Sequence, residues 1–192
     1  MSEVELDNYE MVSVYHLDED KKEELLSTGR ECTFNWSTKD GWPMGVIMSY
    51  YWKDGRFWLT AGSHRHRISA VRRDPRVSIV VTSTGSAMGG GKTITAKGRC
   101  TVHESEEVKS WFYPEFARHL NPHSEEAAAN FAEFLDSPIR IVLEVVPEKW
   151  ITYDGEKMAL DSVGKLPEER KGKPKESDAV RFAAEMKRRG LA

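Results

Sequence analysis

Short runs in which apolar and polar residues alternate dominate the first half of the chain. "ECTFNWST" (31–38), "PMGVIMSYYW" (43–52), "RFWLTA" (56–61) and "RVSIVVTS" (76–83) are rich in β-branched and aromatic residues, and each predicts a strand. Asp40-Gly41, Asp54-Gly55 and Asp74-Pro75 separate them, and an Asp-Gly pair between two such runs is a strong hairpin signal. From Lys92 the alternation returns. Ile94, Ala96, Gly98, Cys100 and Val102 fall at every second position, which predicts another strand, and "IRIVLEVVP" (139–147) predicts the last.

Helical spacing fills the gaps. "DEDKKEELLS" (18–27) predicts a short polar helix with Asp18 as N-cap, ending before Gly29. In "GSHRHRISAVRRDP" (62–75), Ile68, Val71 and Arg72 sit at helical spacing between a candidate Ser63 cap and a terminating Pro75. "ESEEVKSWFYPEFARHLN" (104–121) and "SEEAAANFAEFLD" (124–136) carry carboxylates in their first turns, with Ser105 and Ser124 as candidate caps. Ala127, Phe131, Phe134 and Leu135 give the second of these an apolar face. Closely spaced strands with helices inserted late predict a mainly β protein, a small closed barrel rather than a doubly wound sheet. The expected organisation is a helical N-terminal extension (1–30), a barrel domain (31–160), and a charged linker with a final helix (161–192). That last helix, "AVRFAAEMKRRG", is amphipathic and suited to dock on the body or on a partner.

Composition narrows the function classes. The chain has 192 residues, 39% hydrophobic and 31% charged, with a net charge of -3, so no general affinity for nucleic acid or anionic membrane is expected. Two distant cysteines, Cys32 and Cys100, fit a reducing compartment rather than a disulfide framework. The acidic start "MSEVELDNYEM" does not resemble a signal peptide, and the expected location is cytoplasmic.

"TSTGSAMGGGKT" (82–93) imitates a phosphate-binding P-loop, but five positions before Gly91 stands Ser86, not glycine, and a strand rather than a helix follows Lys92. The stretch is a connection between strands. His119 and His123 are four apart, yet Pro122 lies between them and no glutamate accompanies them, so no metal site is expected. The informative patch is 62–76, where Arg65, Arg67, Arg72, Arg73 and Arg76 with His64 and His66 face a single acid, Asp74. A helix start flanked by arginines offers N–H donors and guanidinium groups to a phosphate. A solvated basic face that balances the acidic N-terminus is the plainer alternative.

The ordered set of strand, Asp-Gly hairpin, "RFWLTAGSHRHRISAVRRDPRVSIVV", glycine loop and "AKGRCTV" resembles the FMN-binding split-barrel superfamily, which includes pyridoxamine phosphate oxidases, and within it the flavin/deazaflavin oxidoreductase branch. The resemblance covers about 30–155 and implies a six-stranded split barrel, a homodimer and a flavin at the subunit interface. It implies that Val46, Ile47, Met48 and Ser49 face the ring, and that Thr60, Ala61, Arg65, His66 and Arg67 hold the phosphate and ribityl chain. Lys92 and Thr93 would meet the polar edge of the ring, with Trp150 near the cofactor. The cofactor implied is FMN, with the deazaflavin coenzyme as alternative, and the activity a hydride transfer to or from a small organic molecule. A non-catalytic flavin-, haem- or nucleotide-binding sensor of the same fold is the second reading. Gly45 and Tyr50 stand where the oxidases carry Arg and Lys, and His66-Arg67 replaces their arginine-lysine pair, so oxidation of pyridoxamine phosphate itself is not implied.

Overall fold

A computed structural model describes residues 11–191; the first ten residues of the expected N-terminal extension lie outside the described residues. After a 3-10 turn at Val12–Val14, the chain forms α1 (Glu19–Thr28), β1 (Glu31–Ser37), β2 (Pro43–Ser49), β3 (Tyr51–Lys53) and β4 (Arg56–Gly62). Then come α2 (His66–Arg73), β5 (Arg76–Thr82), β6 (Lys92–His103), α3 (Glu106–Leu120), α4 (Glu125–Leu135) and β7 (Arg140–Asp154). The chain ends in α5 (Gly155–Ser162), a 3-10 turn at Glu168–Arg170, and α6 (Glu176–Arg189). No helix among the described residues is long and apolar enough to cross a membrane.

All strands join one antiparallel sheet in the order β2-β1-β5-β6-β7-β4-β3. The two end strands, β2 and β3, are one segment of chain interrupted at Tyr50. Its first half pairs with β1, from Ser49 opposite Glu31 to Pro43 opposite Ser37. Its second half pairs with β4, Tyr51 opposite Trp58 through Lys53 opposite Arg56. A single strand that changes partners therefore closes the sheet into a barrel, and the sheet has seven strands rather than the six expected because that strand is divided in two. Beyond Trp58, the β2 side of β4 has no ladder partner among the described residues, and the barrel is split there.

Tyr50 is the pivot of this exchange. Its side chain is fully buried and packs edge-on to Phe57, with ring centroids 5.4 Å apart. Its hydroxyl donates toward the carbonyl of Leu26 (3.0 Å), for which the end of α1 supplies no helical donor, and toward that of Leu25 (3.3 Å), which also accepts from the Gly29 N–H. Gly29 fits the same contact, because a Cβ there would lie 2.3 Å from the Tyr50 hydroxyl. The Asp54-Gly55 hairpin forms as expected, with both residues at positive φ (52° and 72°), as a type I′ turn requires.

Alternation sorts the core. Cys32, Phe34 and Trp36 of β1, Val77, Ile79 and Val81 of β5, and Ile94, Ala96 and Cys100 of β6 point into the barrel. Burial pushes both cysteine thiols up to about 12, so neither is a nucleophile at neutral pH. A bulge between Lys97 and Gly98 resets the β6–β7 register, and at Gly98 a Cβ would stand 2.3 Å from the Val146 carbonyl oxygen, so only glycine lets the strands approach. The β7 run Ile141–Val145 is buried on both faces. Ile141, Leu143 and Val145 face the barrel, while Val142 joins Trp58, Phe112, Phe116 and Leu135 in a second cluster beneath α3 and α4.

The helices follow the sequence with corrections at their caps. Ser124 caps α4 by accepting from the Ala127 N–H, whereas Ser105 makes no cap bond. Arg65, not Ser63, occupies the N-cap position of α2; the Ser63 N–H is taken by the Ile139 carbonyl at 2.7 Å, which ties this turn to the start of β7. β7 runs on past Pro147 to Asp154, and α5 follows directly because Asp154 caps it by accepting from the Glu156 N–H. The final helix forms with none of its residues buried. Tyr50→Phe should lower the unfolding free energy by about 1–2 kcal/mol, the cost of leaving the Leu26 carbonyl without its donor, without changing secondary structure; urea denaturation followed by circular dichroism checks it.

Candidate anion site at the barrel split

The split is filled by a cavity of about 240 Å³. Ile47, Met48 and Ser49 form one wall, from the unpaired edge of β2, and Thr60 of β4 faces them. Arg67, in the first turn of α2, supplies the floor, and Arg140, the first residue of β7, lies beside it. Phe116 and Leu120 of α3 with Phe131, Phe134 and Leu135 of α4 complete an apolar rim. Two guanidinium groups thus line a cavity whose lining contains no carboxylate. An anion would restore the balance.

The arginine patch divides sharply. Arg76 makes a fork with Asp74 (2.9 Å and 2.6 Å) and holds that carboxyl at about 2, well below the ordinary aspartate value. Arg72 pairs with Glu104, and Arg73 donates to the Ser37 carbonyl at 2.7 Å. These three belong to the solvated, structural reading of the patch. Arg67 does not. Its Nε is buried with no hydrogen-bond partner among the described residues, and burial, followed by the nearby Arg65 charge, lowers its pKa from the ordinary arginine value. Arg65 and His66 are exposed beside it.

The remaining residues expected at a site fall in three places. Ile47 is 65% exposed on the outer face of β2, Ser49 is half-buried on the same face, and Val46 and Met48 turn inward to the core. Thr60 donates to the Ile141 carbonyl at 2.9 Å with its side chain on the cavity side, while Ala61 is buried inside the barrel. Lys92, Thr93 and Trp150 lie elsewhere, on β6 and β7. The Lys92 ammonium is buried between the Met88 carbonyl (3.1 Å) and Glu156 (3.1 Å), and that pairing, with Lys21 beyond it, lowers the Glu156 pKa. Thr93 stands opposite Tyr153 in the ladder. Trp150 packs against Trp52 and Phe57 with Lys22 over its ring, and it also borders a wide groove of about 810 Å³ shared by Lys97, Ile151, Tyr153 and the start of α6. His119 is occupied by the Gly29 carbonyl (3.0 Å), and burial lowers its pKa.

Arg140 and the α4 phenylalanines were not legible as site residues. The available signal was a single arginine at the start of an apolar strand, "IRIVLEVV".

The architecture is a split β-barrel with a cation-lined cavity at its unpaired strand edge. The chain belongs to the pyridoxamine 5'-phosphate oxidase family, whose sequence profile matches residues 19–154. No curated protein matches. Among solved structures, the conserved hypothetical protein Rv2991 from Mycobacterium tuberculosis superposes with a TM-score of 0.67 at 18% identity, over 77% of this chain and 91% of that one. An F420 reductase superposes at 0.52 (16% identity; 67% and 94% of the chains), and a FAD-binding protein from Mesorhizobium loti at 0.52 (17%; 71% and 94%). At these identities the likeness is one of fold.

Because Arg67 is a half-buried cation without a counter-charge among the described residues, Arg67→Met should leave the ligand-free protein as stable or raise its stability by up to about 1 kcal/mol, solvent screening keeping the gain small; thermal unfolding checks it. A drop of several degrees would instead show a structural role.

Proposed function

We propose that the protein is an oxidoreductase that holds a flavin-type cofactor, FMN or the deazaflavin coenzyme, in the split, and acts as a homodimer on a small organic molecule. The observation that carries this reading is the Arg67 guanidinium, its Nε withdrawn from water with no acceptor among the described residues, beside the edge of β2. The residues present fit such a group. Arg67 and Arg65 would hold its phosphate, the hydroxyls of Thr60 and Ser49 its polyol chain, and the backbone of Val46–Ser49 the polar edge of its ring. A bound flavin-type group supplies two-electron redox chemistry, which no side chain in the cavity provides. The chain's own part is to bind the anionic tail, orient the ring along the β2 edge, and exclude water with the apolar rim of α3 and α4.

A second copy is part of the reading. Thr93 and Tyr153 lie on the outer face of β6 and β7, away from Arg67, so they reach a cofactor only from another protomer. Ile47 and Ile151 (50% exposed) mark the two apolar patches that such a contact would cover. The absence of any Asp, Glu or His from the cavity lining also supports a second reading, a carrier or sensor that binds the cofactor without turnover. Failure of the bound cofactor to be reduced by a nicotinamide donor, or reoxidised by any acceptor, would favour it.

The visible spectrum of protein from its native host, followed by titration of the stripped protein with FMN and with the deazaflavin coenzyme, tests the proposal. Arg67→Ala should weaken the phosphorylated cofactor by about 1.5–3 kcal/mol through lost charge-assisted hydrogen bonds, and riboflavin much less. Equal losses for both, or no binding of either cofactor by the unaltered protein, would refute it.

A further inference from the structure

We infer that Arg140 is a second anion-binding residue of this pocket, gripping the same phosphate ester as Arg67 while the Phe134 ring holds it in place. The inference rests on the proposed cofactor site and assigns to that site a residue from a separate part of the chain.

Arg140 opens β7 at the mouth of the split, where its N–H bonds the Ser137 carbonyl at 2.9 Å and fixes the backbone. Its guanidinium lies over Phe134, 5.5 Å from the ring centroid. A stacked guanidinium uses its face and leaves its N–H donors in the plane free. Among the described residues those donors have no hydrogen-bond acceptor and no carboxylate within ion-pair distance, unlike Arg56, Arg72, Arg76 and Arg99, each of which has one. Phe134 is itself unusual, an aromatic ring 66% exposed at the end of α4 and stacked on Phe131 at 6.2 Å. Its place is explained if it carries Arg140. The ladder brings the two cations together: β4 ends with Gly62 opposite Arg140, and α2 begins a few residues later.

Two guanidinium groups on one small cavity without an acid suit a phosphate ester. That ester is the monoester of FMN or the diester of the deazaflavin coenzyme, and the two arms of the experiment separate them. Dissociation constants are measured for FMN against riboflavin, and for the deazaflavin coenzyme against its phosphate-free chromophore, by fluorescence quenching. The proteins are the unaltered chain, Arg67→Ala, Arg140→Ala, Arg140→Lys and the double alanine variant, each checked for folding by its melting curve. In the arm whose phosphorylated member binds tightly, Arg140→Ala should cut the preference over the phosphate-free partner on the order of ten- to a hundredfold. Arg140→Lys should keep part of that preference, and the double variant should lose less than the product of the single losses, because both residues hold one group. Equal weakening of both members by Arg140→Ala, or independent losses in the double variant, would overturn the inference. If Arg67→Ala abolishes the preference while Arg140→Ala leaves it intact, the inference fails and the cofactor site stands. If the unaltered chain prefers neither phosphorylated compound, the cofactor site fails as well.

Discussion

The barrel closes through one strand that changes partners at Tyr50, and the position of the site follows from that exchange. A strand can hydrogen-bond a neighbour on each side, but β2, once the chain has left the β3–β4 ladder, has no partner on its outer edge among the described residues. Exposed strand edges invite pairing with other chains. Here α2 and the α3–α4 hairpin stand over the gap and leave a pocket with polar backbone on one side and aromatic rings on the other. Tyr50 fixes the geometry by anchoring the crossing point to the end of α1, so a small change there would move both the edge and the pocket.

Electrostatics then separates the arginines that build the fold from those left over. Arg72, Arg73 and Arg76 fasten α2 to its surroundings through Glu104, the Ser37 carbonyl and Asp74. A fold that needed only these would gain nothing from also burying the Arg67 Nε, which has no acceptor among the described residues. An unpaired cation of this kind is the trade of stability for binding that functional sites make.

Much of the barrel was legible in the sequence, because its strands alternate and its hairpin carries Asp54-Gly55. The family resemblance supplied the split and drew attention to Arg67 and to the β2 edge. The strand break at Tyr50 was not legible, since "PMGVIMSYYW" reads as one uninterrupted β run and the change of partner is a tertiary fact. Helix α5 was hidden for a related reason: Asp154 ends a strand and caps a helix at once. Arg140 escaped notice because only the β4–β7 register sets it beside α2, and Lys92 looked free because its partner Glu156 lies far along the chain.

The central claim is that the Arg67 guanidinium is the donor site for a phosphate ester. Its Nε–H resonance, assigned in a nitrogen-15 spectrum through its absence from Arg67→Lys, reports this directly. The account predicts a large downfield shift and protection from solvent exchange when the phosphorylated cofactor is added, and no such change with the phosphate-free form. An Nε–H that stays in fast exchange with water at saturating cofactor would contradict it.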